Sequence, residues 1–141
     1  MNNDKIEQYL TDMMLTYEKV DGNIWLLEDE ERTLQGVVII QAEPLVIIRA
    51  EIMGIPKNNV LELYTKLLEL NATDVIHGAY ALDRDNNKII LVNTLHYDTM
   101  DYDDFRSSLE AFSLALATHY PILSKFREKS PSKEASSSSK S

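Results

Sequence analysis

The chain has 141 residues, no cysteine, and 14 basic against 23 acidic residues, for a net charge of −9. That length suffices for one hydrophobic core, and the missing cysteine excludes disulfides, thiolate ligands and a cysteine nucleophile. Residues 1–126 alone hold 10 basic and 21 acidic residues; a surface that acidic repels phosphate backbones and anionic lipid, which argues against nucleic-acid binding and membrane insertion and in favour of basic or apolar partners. The first residues lack a basic region followed by an apolar core, and no apolar run approaches the ~18 residues of a bilayer span, so a cytoplasmic protein is expected.

Near the start, Ile6, Tyr9, Leu10, Met13, Met14 and Tyr17 recur at steps of three and four, which predicts a helix with one apolar stripe. Asn2 or Asn3 is available to cap it, and Asp21–Asn23 (DGN) turns the chain. Three strands are predicted next, over 24–28, 34–42 and 45–53, rich in β-branched residues and joined by short polar connections that suit antiparallel neighbours. Both VVII (37–40) and LVII (45–48) are apolar on both faces, which marks them for covering by a helix or a partner.

A second helix is predicted from the stripe Val60, Leu61, Tyr64, Leu67 and Leu68, widened by Leu63 and Leu70, with Asn71 as a left-handed residue that ends it. VIHGAYALD (75–83) and KIILVNTLH (88–96), joined by the polar turn RDNN, predict a hairpin. A third helix is expected to start near Thr99–Asp103 and to carry Phe105, Leu109, Phe112, Leu116, His119 and Leu123 on one side. Pro121 lacks the N–H that would bond the Ala117 carbonyl, so it is expected to kink or end that helix. The reading is an α+β single domain over 1–128, in the order α-βββ-α-ββ-α, with a largely antiparallel sheet packed against helices. The Ser/Lys-rich tail at 129–141 has no apolar residue larger than alanine and is expected to be disordered.

No cluster of residues spells out a reaction. Glu28–Glu31 are four adjacent carboxylates that point in different directions, which suits a solvated turn better than a metal. The segment from Asp83 imitates a calcium loop, but Lys88 stands where the loop needs glycine and Thr94 where it needs a bidentate glutamate. His77, His96 and His119 have no helical i, i+4 partner, and His77 and His96 fall out of register across the hairpin. Gly78 marks a bulge or close packing of the second helix on the sheet. No catalytic residue, metal site or cofactor is therefore assigned. Trp25 reads as core, or as an anchor for a partner if it lies exposed on an edge strand.

The run KLLELNATDVIHGAYALDRDNNKIILVNTL (66–95) resembles the YbjN-like family, similar in fold to the type III secretion chaperones of the Tir-chaperone class. Its carriers are Leu67, Leu68, Leu70 and Asn71, then Gly78, Tyr80 and Leu82, a polar turn and an Ile/Val/Leu strand; MGIP before the second helix and the long last helix extend the match over about Ile6 to Phe126. The resemblance implies a non-enzymatic, homodimeric protein-binding module, chaperone-like or regulatory, that holds a segment of a partner protein. It implies Tyr9, Met13, Ile24, Trp25, Val37 and Ile39 as partner-facing residues and Leu63, Leu67 and Leu70 as dimer residues. The alternatives are a metal-dependent enzyme built on the acidic turn and a histidine, and a structural subunit of a permanent hetero-complex.

Overall fold

The computed structural model describes residues 4–75 and 77–127. The Asn2 or Asn3 cap and the 129–141 tail lie outside the described residues. The chain runs α1 (Asp4–Asp12), β1 (Tyr17–Asp21), β2 (Ile24–Leu27), β3 (Val38–Ala42), β4 (Leu45–Gly54), α2 (Val60–Thr73), β5 (Ala79–Asp83), β6 (Lys88–His96) and α3 (Tyr102–Leu123), then a 3₁₀ turn, Ser124–Phe126. All neighbouring strands are antiparallel, in the spatial order β1-β2-β3-β4-β6-β5. The α+β domain expected from the pattern is present, with one strand more than the pattern gave.

The extra strand is β1. The helical stripe ends sooner than its periodicity suggests, because Met14 adopts a left-handed conformation (φ 59) and the Leu15 N–H bonds back to the Leu10 carbonyl. Tyr17, taken from sequence as the last member of the stripe, opens β1 instead. This strand is nearly all exposed and mostly charged, so no alternation of apolar residues announces it.

One face of the sheet carries the core. Trp25, Ile39 and Ile48 stand side by side across β2, β3 and β4, and all three are fully buried. Ala50, Leu91 and Tyr80 continue the same face across β4, β6 and β5. Ile6 and Leu10 of α1, Leu63, Leu67 and Leu70 of α2, and Phe105, Leu109 and Phe112 of α3 close over it. Burying each such side chain contributes about 1.5–3 kcal/mol. The third helix starts where expected: Asp101 and Asp104 form reciprocal side-chain to backbone bonds, a capping box. Pro121 sits inside its last turn, and the helix ends two residues later.

Candidate partner-binding surfaces

The two edges of the sheet are built differently. At the β1 edge, Glu28 N–H donates to Thr16 O, which fixes the parity of the ladder. Tyr17 and Lys19 then turn their backbone N–H and C=O away from β2. Side chains add to the ladder in holding the strand: Lys19 Nζ lies 2.9 Å from Glu7 of α1 and 5.6 Å from the centre of the Trp25 ring, and Trp25 Nε1 donates to Glu7 at 3.1 Å. These two bonds, the lysine first and the indole second, hold the Glu7 carboxyl below its ordinary range. Val20 beside them is half exposed.

At the β5 edge the outward groups belong to Tyr80 and Leu82, and those of Tyr80, in the middle of the strand, are already taken. Tyr80 N–H donates to Asn71 Oδ1 at 2.7 Å, while Asn71 Nδ2 donates to the Tyr80 carbonyl at 3.2 Å. A side-chain amide thus pairs with the edge as a further strand would. Asn71 does not end α2 in a left-handed conformation, as the sequence suggested; the helix continues to Thr73, and Asp74 closes it with its N–H on the Leu70 carbonyl. The Tyr80 hydroxyl lies 2.6 Å from His119 Nδ1, and His119 Nε2 lies 3.5 Å from Asp74. Burial, and secondarily the Asp74 charge, push the Tyr80 phenol up. Entry to the strand depends on Gly78 at φ 97, where an added Cβ would meet the Val92 carbonyl oxygen of β6 at 2.5 Å. That close approach is to the neighbouring strand, not to the second helix as expected.

Pairing across the ladder places Ile24, Ile40 and Ile47 in one row of the outer face, with Leu26 and Val38 in the next. All five are partly exposed, and none packs against the core cluster. This is the two-sided apolarity that VVII and LVII carried in the sequence.

The nine residues named from the resemblance divide by burial. Tyr9 and Met13 are partly exposed; Tyr9 packs its ring 5.5 Å from Phe105 and 5.6 Å from Tyr102. Ile24 lies on the open face. Trp25, Val37 and Ile39 have no exposed surface and belong to the core, as do Leu63, Leu67 and Leu70. The leucines of α2 that meet solvent are Leu61, 80% exposed, and Leu68, 68% exposed. Missed from sequence were the Asn71 clamp and the Tyr80–His119–Asp74 chain, which join residues 9 to 45 positions apart; His119 on the apolar side of its helix was the one visible sign.

Asp29 of the acidic run is buried rather than solvated: it accepts from the Thr16 and Arg32 N–H groups and pairs with the Arg32 guanidinium at 3.1 Å. Among the described residues no three His, Asp or Glu side chains gather as metal ligands, and no helix is long and apolar enough to cross a membrane.

A family model, CesT_Tir_1, matches residues 1–129. The chain belongs to the CesT_Tir_1 family. Its fold is shared with YbjN from E. coli, described as a putative transcription regulator, at 20% identity and a TM-score of 0.64, over 86% of this chain and 93% of that one. It is shared also with a chain of the heterodimeric ExoU–SpcU complex from the type III secretion system of Pseudomonas aeruginosa, at 13% identity and a TM-score of 0.59, over 83% and 96%. A chain of the HopA1–SchA chaperone–effector complex matches at 5% identity and a TM-score of 0.54, over 84% and 92%. A comparison with curated proteins gave no match. Family and fold agree with the YbjN-like and secretion-chaperone resemblance of residues 66–95.

Proposed function

We propose that this protein is a non-enzymatic module that holds an extended segment of a partner protein along the β1 edge and the apolar outer face beside it. The observation that carries this reading is the contrast between edges: β5 has the outward backbone groups of its central residue, Tyr80, satisfied by Asn71, whereas those of Tyr17 and Lys19 face outward. An added strand gains main-chain bonds at β1, and on the outer face its side chains stand beside Glu18, with the apolar row that begins at Leu26 one strand further in. Chaperone–effector complexes share the fold, and the acidic body favours basic segments. Of the residues first named, Tyr9, Met13 and Ile24 are the ones with surface to offer a partner. Trp25, Val37 and Ile39 act by holding the strands in place.

We also propose a homodimer through the solvent side of α2. Leu61 and Leu68 lie one heptad apart on one line of the helix, and Leu63, Leu67 and Leu70 support that line from the core. The expected solution mass is twice 16.1 kDa, and Leu68→Asp is expected to halve it.

The test of the binding role is a photo-crosslinking residue placed at Val20, with a second at Leu82 on β5 as control. A defined partner is expected to crosslink through Val20 and to be lost when Lys19→Pro is added. Equal crosslinking from both positions would contradict the assignment of the edge.

A further inference from the structure

The third strand stops short of its neighbour. β3 pairs with β4 only from Ala42↔Leu45 to Val38↔Arg49, whereas β4 continues to Gly54 against β6. Among the described residues, therefore, no strand pairs with residues 50–54 of β4 on the β3 side. Tyr97 N–H donates to the Pro44 carbonyl at the far end of the β4–β6 ladder. Alternation from that bond turns the backbone groups of Ile47, Arg49 and Glu51 away from β6. Ile47 and Arg49 meet β3, and among the described residues no loop backbone bond reaches Glu51. The next carbonyl, Ile52, is met by Arg127 Nη2 at 2.9 Å. Alongside this stretch lies a cavity of about 480 Å³ between β4, the loop from Glu30 to Gln35 and the second half of α3. Its walls include Ile52, Leu116 and Leu123, and Glu30 and Glu51 stand exposed at it. Neither carboxylate has an ion pair among the described residues.

We propose that this gap takes a short extended segment of a partner protein, with basic and apolar residues in alternation, lying in line with β3 and bonded to β4. The inference rests on the reading of the protein as one that holds a partner segment, and it adds a second place where the sheet accepts one. Each feature of the occupant follows from the walls. Successive side chains of a strand point to opposite faces. A residue opposite Glu51 shares its exposed face, where a lysine or arginine is the complementary partner. Residues on either side of it point toward Leu116 and Leu123, which select apolar side chains. An acidic segment would meet two carboxylates with one guanidinium, already engaged on Ile52 and on the Tyr120 ring. An arriving strand takes over the position of Arg127, so that side chain competes with the occupant.

The test uses fluorescence anisotropy of two fluorescein-labelled peptides, alternating lysine and valine or glutamate and valine, against the full chain and four variants. The lysine peptide is expected to bind and the glutamate peptide not to. Glu51→Lys is expected to weaken binding roughly tenfold, the swing from an opposite to a like cross-strand charge, and Glu30→Lys, in the loop, to weaken it roughly threefold. Both residues are exposed, and circular dichroism checks that the fold survives. Arg127→Ala is expected to tighten binding, and Lys19→Pro to change it less than about twofold, a shift well under 1 kcal/mol. Indifference to both charge reversals, or loss of binding in Lys19→Pro alone, would overturn the proposal; the latter would move the peptide to the β1 edge. Failure here with partner crosslinking through Val20 intact removes the second site and leaves the binding role standing.

Discussion

The β1 and β5 edges end the same sheet and have opposite chemistry. The β5 edge is closed by a neutral amide: Asn71 offers both a donor and an acceptor to Tyr80. The β1 edge is tied through charge, with Lys19 held by Glu7, and leaves its outward main chain to solvent. A long unprotected edge is a hazard for aggregation. Here the β1 edge is short, exposed and charged, which limits indiscriminate pairing while leaving room for a chosen segment. Closing β5 at Tyr80 while leaving the outward groups of β1 free favours strand addition at β1 over β5.

Four perturbations break or sharpen that contrast, in order of expected effect. The largest is Gly78→Ala at the start of β5. The residue sits at φ 97 and its Cβ would fall 2.5 Å from the Val92 carbonyl oxygen. Strain and overlap together are expected to cost roughly 3 kcal/mol, read as a lowered urea midpoint. Next is Asn71→Ala, which removes both bonds to Tyr80 and is expected to cost about 2 kcal/mol. It also uncovers the β5 edge, so concentration-dependent association should appear by light scattering; an unchanged, non-associating variant would mean the edge is closed by something else.

Lys19→Pro acts on the other edge. Its N–H points outward, so the ring removes a docking donor rather than a ladder bond; the Lys19–Glu7 pair is lost with it, and the stability change is expected to stay within about 1.5 kcal/mol. Partner crosslinking through Val20 is expected to disappear. The smallest effect is acid sensitivity. Glu7 is held below its ordinary value of 4.5, chiefly by Lys19. A depressed carboxyl contributes stability that is complete above its unfolded value and lost as pH falls through the lower folded one. The β1 tie is thus expected to weaken only below about pH 4.5, and Glu7→Gln to flatten that limb of the stability curve. The Asn71 clamp carries no charge and has no titration of its own there.

Much of this architecture was legible in the sequence because it is periodic. The stripe of α3 and its acidic first turn, the hairpin around RDNN, and the two-sided apolarity of VVII and LVII each have a local cause and each appear in the structure. What escaped is non-local or unpatterned. β1 is too polar and too exposed to alternate. Asn71 looked like a helix stop because asparagine tolerates positive φ, while its actual role depends on a strand nine residues away. The resemblance implies Trp25, Val37 and Ile39 as partner-facing, whereas a strand's two faces alternate and these three side chains are on the covered one. The open residues are their neighbours Leu26, Val38 and Ile40.

The central claim, that one edge is closed at Tyr80 by a side-chain amide and the other is open, is tested most directly by residue-resolved hydrogen exchange. The backbone amides of Lys19 and Tyr80 both point away from the sheet. The account predicts that Tyr80 is protected like an interior strand residue, that Lys19 exchanges rapidly, and that Asn71→Ala brings Tyr80 to the Lys19 rate. Equal exchange at the two positions in the unmodified protein would contradict it.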